Sequence, residues 1–130
     1  VNIADSYRYS KIKKNKKIIV ARSIFLQGAL INNISKHPKK EQILNYKKKI
    51  YEICKQNNIT YLEAITSYVF NLKMINYVLI STISKKNLSQ IFKSIIKIDK
   101  KTLGLLHTNS KKLKSWANTM TWGANQYTGK

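Results

Sequence analysis

Two short apolar runs rich in β-branched residues, 17–23 and 77–81, are separated and followed by stretches whose apolar residues recur with a helical period. That order of strand, helix pair, strand and helix predicts an α/β fold with parallel strands, because strands joined by long helical crossovers enter a sheet in the same direction. A third observation sets the scale. The chain has 130 residues, the length of one domain, and a domain of that size buries roughly two-thirds of its unfolded surface around a single core.

Residues 17–23, KIIVARS, place Ile18, Ile19, Val20 and Ala21 in succession, as a strand buried on both faces does. Arg22, Ser23, Gln27 and Gly28 then break the apolar character and mark the strand's exit. Pro38 sits near the start of the next element, where its missing N–H suits a first helical turn. Ile43, Leu44, Ile50, Ile53 and Cys54 share one face of a helix over 41–57, which Asn57 and Asn58 end. Thr60, with Glu63 three positions on, has the spacing of a capping box, so a second helix starts there with Leu62, Ile65, Val69 and Leu72 inward. Residues 77–81, YVLIS, repeat the strand signature, and Ser84 is placed to cap a third helix whose inner face is Leu88, Ile91, Phe92 and Ile95. Beyond Ile98 the period loosens: Leu103, Leu105 and Leu106 can still pack, whereas 116–130 lacks periodicity and reads as a poorly ordered tail. The expected organisation is an α/β unit over 1–98 and a carboxyl-terminal extension, partly disordered, over 99–130.

Hydrophobic residues make up 43% and charged residues 23%, a soluble globular balance rather than a disordered one. The formal net charge is +20, which raises the possibility of a nucleic-acid partner. Its distribution is diffuse. Lysines recur from Lys11 to Lys114, while arginine, the better bidentate phosphate and guanine ligand, occurs only at Arg8 and Arg22. A Lys-rich nucleic-acid-binding protein, with Tyr7, Tyr9, Trp116 and Trp122 stacking on bases, is therefore the alternative reading. Cys54 is the single cysteine, so no internal disulfide forms and a reducing, cytoplasmic setting fits. His37 and His107 have no cysteine or carboxylate at metal-ligand spacing, and no zinc site is read. The basic KIKKNKK followed by an apolar run resembles a signal peptide only until Arg22 and Gln27 break it, and the run is too short to span a membrane. Two strands make a small sheet with exposed edges, and the first residue is Val1, so further strands are expected upstream.

In parallel α/β folds, ligands bind beyond the carboxyl ends of strands, where turns and helix N-termini offer unpaired N–H groups. Both polar interruptions fall there: 23–28 after the first strand and 81–86 after the second. Ser23 can donate a hydrogen bond, Gly28 allows close backbone approach, and Lys85 or Lys86 supplies countercharge, a set suited to a phosphate.

The stretches IIVARSIFLQGALI, NNITYLEAITSYVF and YVLISTISKKNLSQIF, in that order, are similar to the carboxyl-terminal quarter of the aldo/keto reductase family, in its branch with an RSxFLQG signature. The resemblance covers residues 2–92, and SKKLKSW echoes the family's terminal segment. It implies a (β/α)8 barrel that reduces carbonyls with NADPH, of which this chain holds the portion from the end of strand six (1–5) through strand seven (17–23) and strand eight (77–81) to helix eight. Carried over by position, Ser23, Phe25, Leu26 and Gly28 line the cofactor pyrophosphate, and Ser84, Lys85 and Lys86 approach the adenosine 2′-phosphate. Those lysines favour NADPH over NADH through its extra dianion. Two positions depart from the pattern: Ser81 stands for the usual glycine, and Gln90 and Ile91 for the Glu-Asn pair that holds adenine. The family's catalytic Asp, Tyr, Lys and His belong to the first half of the barrel, and Asp5 and Tyr7 read as loop residues after strand six. The implied role is thus a cofactor-binding fragment without catalytic residues, whose carbonyl substrate is met only by the full-length protein. A degenerate remnant without activity is a further reading.

Overall fold

The computed structural model describes residues 18–35 and 37–110, with the side chains of 108–110 left out. The expectations placed on residues 1–17 and 111–130, including the end of strand six and the carboxyl-terminal tail, lie outside the described residues. The elements run β1 (Val20–Ala21), α1 (Lys40–Asn57), α2 (Tyr61–Phe70), β2 (Tyr77–Val78), α3 (Lys85–Lys93) and α4 (Lys100–Ser110). β1 and β2 pair in parallel, Val20 opposite Tyr77 and Ala21 opposite Val78. The α/β class with parallel strands is therefore present, in a helix-rich form with a two-stranded sheet.

The pairing extends a little past the two registered residues. Asn76 and Tyr77 donate their N–H groups to the Ile19 carbonyl at 2.9 and 3.3 Å, and Leu79 donates to Ala21 at 2.8 Å. The Asn76 side chain closes the start of the ladder, its Oδ1 accepting the Ile19 N–H at 2.9 Å.

The sheet is covered on one face. Ile19 and Ala21 are buried while Ile18 and Val20 are exposed; the same alternation gives a half-buried Val78 between exposed Tyr77 and Leu79. This corrects the expectation of a strand buried on both faces. A continuous apolar run allows two-sided burial, but burial requires elements on both sides, and here the helices take only one.

Beneath that face, Ala21 joins Ile50, Ile53 and Cys54 of α1, Ala64, Ile65, Tyr68 and Val69 of α2, Ile98, and Leu106 of α4 in the main core. A smaller cluster of Ala29, Ile34 and Ile43 sits under the start of α1, and Leu26 packs against both clusters. Ile43 and Ile50 are the most completely covered of the large side chains, each contributing on the order of 1.5–3 kcal/mol. Leu44, expected on the same stripe, is exposed. One residue advances the helix by about 100°, which carries Leu44 past the edge of a stripe centred on Ile43, Ile50 and Cys54.

α2 lies at the centre. Six consecutive residues, Ala64 to Val69, are buried, so the hydroxyls of Thr66, Ser67 and Tyr68 need partners or carry a penalty, and Thr66 Oγ1 has none among the described residues. Ser67 Oγ donates to the Ser94 carbonyl at 2.9 Å and accepts the Ile96 N–H at 2.8 Å. Asn71 Nδ2 adds bonds to the Ser67 and Ile96 carbonyls at 2.8 and 3.0 Å. These bonds fasten the segment between α3 and α4 to the central helix.

The helix ends follow local chemistry. Asn58 takes a left-handed conformation (φ 50°) at the end of α1 and donates its N–H to Cys54, the role for which asparagine is the best substitute for glycine. At α2 the capping box is complete: Thr60 Oγ1 accepts the Glu63 N–H at 3.2 Å, and Glu63 Oε2 accepts the Thr60 N–H at 2.7 Å. α4 lies where the sequence pattern loosens. It starts where Asp99 Oδ1 accepts the Thr102 N–H at 2.9 Å, and it packs on α1 and α2 through buried Thr102 and Leu106. Thr102 Oγ1 also donates to Asn57 Oδ1 at 2.7 Å, tying α4 to the end of α1.

Replacing Thr60 with Ala is expected to lower stability by about 1 kcal/mol in urea unfolding. The Thr60 main-chain and side-chain bonds hold the Glu63 carboxyl below its usual range. Its contribution is therefore present above the unfolded-state pKa of about 4.3 and is lost as pH falls through the lower folded value. Glu63→Gln should flatten that part of the acid-side stability curve, and an unchanged curve would count against the capping box.

Candidate functional site

Parallel pairing places the carboxyl ends of β1 and β2 at one end of the sheet. The segments 22–28 and 79–86 leave from that end, so the residues expected to bind phosphate emerge side by side in chain direction. Among the described residues no hydrogen bond joins the two segments directly.

The first segment is a compact turn. Leu26 donates its N–H to Ser23 at 2.8 Å, Gly28 to Phe25 at 3.0 Å, Ala29 to Leu26 at 3.0 Å and Leu30 to Phe25 at 3.2 Å. Leu26, Gln27 and Gly28 are all left-handed, with φ of 49°, 53° and 85°, and Ser23 is left-handed at 53°. For a residue with a Cβ that conformation costs roughly 1–2 kcal/mol. What holds it is packing: Ile24, Phe25 and Leu26 are half-buried against the core. The turn satisfies its own later N–H groups, whereas those of Ser23, Ile24, Phe25 and Gln27 make no bond among the described residues. Successive unpaired N–H groups near left-handed residues form a concavity suited to an anion.

Gly28 has a structural reason for its identity. A Cβ there would lie 2.6 Å from Asn32 Nδ2, so its open side faces the Asn32 amide. Both the N–H groups of Ile31 and Asn32 return to the Gly28 carbonyl, at 3.0 and 2.8 Å.

The second segment ends in a capped helix. Ser84 Oγ accepts the Asn87 N–H at 3.2 Å, and Ser84 takes its own N–H to Thr82 Oγ1 at 3.2 Å. Lys85 and Lys86 occupy the exposed first turn of α3, which has no acidic residue. Cations at a helix N-terminus oppose the helix dipole by about 0.3–1 kcal/mol each. A bound anion would reverse that, since it meets the dipole, the free N–H groups and both lysines with the same sign. Farther along α3, Gln90 is exposed but Ile91 is buried.

The titratable groups away from this end serve the core. Burial pushes the Cys54 thiol up, which keeps it protonated and a poor nucleophile. Burial also raises the Tyr61 hydroxyl far above its usual range, and its ring stacks on Tyr51 with centroids 4.4 Å apart. Burial first, and Lys39 second, lower the His37 imidazole, whose Nδ1 accepts the Lys39 N–H at 2.9 Å. Tyr68 Oη and His107 Nδ1 share a hydrogen bond of 2.8 Å. Among the described residues no three His, Cys, Asp or Glu side chains gather as a metal site, and no helix is long and apolar enough to cross a membrane.

Both strand exits are visible in the residue pattern, but the residues that secure them are not. Asn76 gave no signal, since an asparagine before a strand reads as turn chemistry. The left-handed series at Leu26 and Gln27 also escaped, because neither residue type prefers that region. Comparison of the chain with protein-family models, with curated proteins and with solved structures finds no match.

Replacing Gly28 with Ala should cost about 1–2 kcal/mol in urea unfolding, chiefly through φ, because the crowding atom is the movable end of Asn32. Gly28→Asn should be milder, and adding Asn32→Ala to Gly28→Ala should not restore stability. Full rescue by Asn32→Ala would show that crowding, not φ, selects the glycine.

Proposed function

We propose that this chain is the carboxyl-terminal portion, from the end of strand six through helix eight, of a (β/α)8-barrel oxidoreductase similar to the aldo/keto reductases. In this reading it supplies part of an NADPH site in a cytoplasmic enzyme, and the residues that act on the carbonyl substrate lie elsewhere in the whole protein. The observation that carries the proposal is the parallel pairing of β1 with β2, which sends 22–28 and 79–86 out of one end of the sheet.

The residues fit the phosphate part of the cofactor. The N–H groups of Ser23, Ile24 and Phe25 are available to the pyrophosphate, and Ser23 adds a hydroxyl. Phe25 and Leu26 hold the turn to the core, and Gly28 completes its left-handed path. Ser84 caps α3 and leaves its hydroxyl hydrogen to donate, while Lys85 and Lys86 meet the 2′-phosphate with two charges. NADPH, when bound, supplies hydride; this chain's part is to hold and orient it. The adenine end fits less well. Ile91 is buried where the family places an adenine-binding residue, so Gln90 alone faces outward there.

Calorimetry on the full chain tests this with 2′,5′-ADP against 5′-AMP. The bisphosphate should bind about tenfold more tightly, equivalent to about 1.4 kcal/mol, and Lys85→Ala with Lys86→Ala should erase the difference. Equal binding of the two nucleotides would overturn the assignment. Tight binding of single-stranded RNA with a steep salt dependence, and no preference for 2′,5′-ADP, would favour the nucleic-acid alternative.

A further inference from the structure

We propose that the outer edge of β1, with the apolar side chains beside it on the open sheet face, docks a strand from an acidic partner polypeptide. The inference stands on the exposed sheet and does not depend on the nucleotide reading. Ile18 is 67% exposed, Val20 47%, Tyr77 63% and Leu79 63%. Strand alternation puts all four on the face opposite the helices, where they form one apolar surface across both strands. Scattered apolar residues are ordinary on a protein surface, but a contiguous set on one sheet face marks an interaction site.

The edge specifies what covers it. The main-chain groups of Ile19 and Ala21 point to β2, since their carbonyls accept from Asn76, Tyr77 and Leu79. By alternation the N–H and C=O of Val20 point the other way, and the sheet has only two strands among the described residues. Such an edge is a template for an added strand.

Three kinds of occupant are open to a surface of this kind, and two are disfavoured. A bilayer would leave the Val20 main-chain groups unpaired in hydrocarbon, which costs several kcal/mol per group. A second copy would bring two chains of formal charge +20 together, and Arg22, exposed at the end of β1, continues the same strand face. A strand carrying carboxylates satisfies the edge, sets its alternate side chains beside Ile18 and Val20 on the open face, and meets Arg22 with opposite charge.

The test uses the full chain and a blocked octapeptide of alternating Glu and Val, with its Lys–Val counterpart as control. Amide exchange followed by NMR should show the Val20 N–H slowed at least about tenfold by saturating Glu–Val peptide, a fraction bound above nine-tenths, and unchanged by the Lys–Val peptide. Ile18→Asp, which sets a like charge beside the docked strand, should weaken the protection while circular dichroism stays native; Val20→Asp, on the same face, serves if that variant unfolds. An unprotected Val20 N–H at millimolar Glu–Val peptide would overturn the proposal. So would equal protection by both peptides, or a dimer of the chain alone that already protects Val20. Binding of 2′,5′-ADP, read separately, is expected to be unchanged by Ile18→Asp, which lies outside 22–28 and 79–86, so either proposal can fail without the other.

Discussion

Two registered pairs, Val20 with Tyr77 and Ala21 with Val78, decide which end of this molecule carries its loops. A parallel ladder this short does not support itself in water. It persists because Ile19 and Ala21 are buried, Ala21 in the core with the helices, and because Asn76 satisfies the first N–H of the ladder with its side chain. Were the strands antiparallel, 22–28 and 79–86 would leave from opposite ends and no common anion site would be possible. The placement of both loops at one end follows from that pairing.

The pairing in turn rests on the core that Ala21 shares with α1, α2 and α4, of which α2 is the most continuously buried element. Its burial brings Ser67 and Asn71 into positions where they serve main-chain groups of 94–98, far along the chain. Removing either side chain would orphan buried groups at about 1–3 kcal/mol apiece, so the path from β2 through α3 to α4 is fastened by hydrogen bonds as well as by apolar contact. Against this rigid centre, the strand-exit turn keeps three non-glycine residues in the left-handed region. Backbone held in that way is concentrated at binding sites in folded proteins, where the surrounding structure compensates for it. Here the compensation is visible in the half-buried Phe25 and Leu26.

Local chemistry was legible in the residue order wherever a short-range bond decides the outcome. Thr60 and Glu63 cap α2, Ser84 caps α3, and Asn58 closes α1, each through bonds spanning three or four residues. The candidate site was legible to the same extent: its two segments follow apolar runs, and their polar residues stand out against them. Features that depend on distant partners were not legible. α4 carries Thr102 and Gly104 within a weak apolar stripe, and it gains its burial only by meeting α1 and α2. Leu44 looked like a core residue because its neighbours are, yet the helix turns it away.

The sequence by itself determined the order of the two parallel strands and of α1, α2 and α3, where three helix ends are capped, and how much positive charge the chain carries, because each follows from spacing and composition over a few residues. Only the tertiary structure decided that the two strands pair directly with each other, that α4 forms, that one sheet face is left open, and that the turn after β1 is left-handed. The physical reason is that each of these is settled by how α1, α2 and α4 pack together and which surfaces remain, a competition among contacts far apart in the chain.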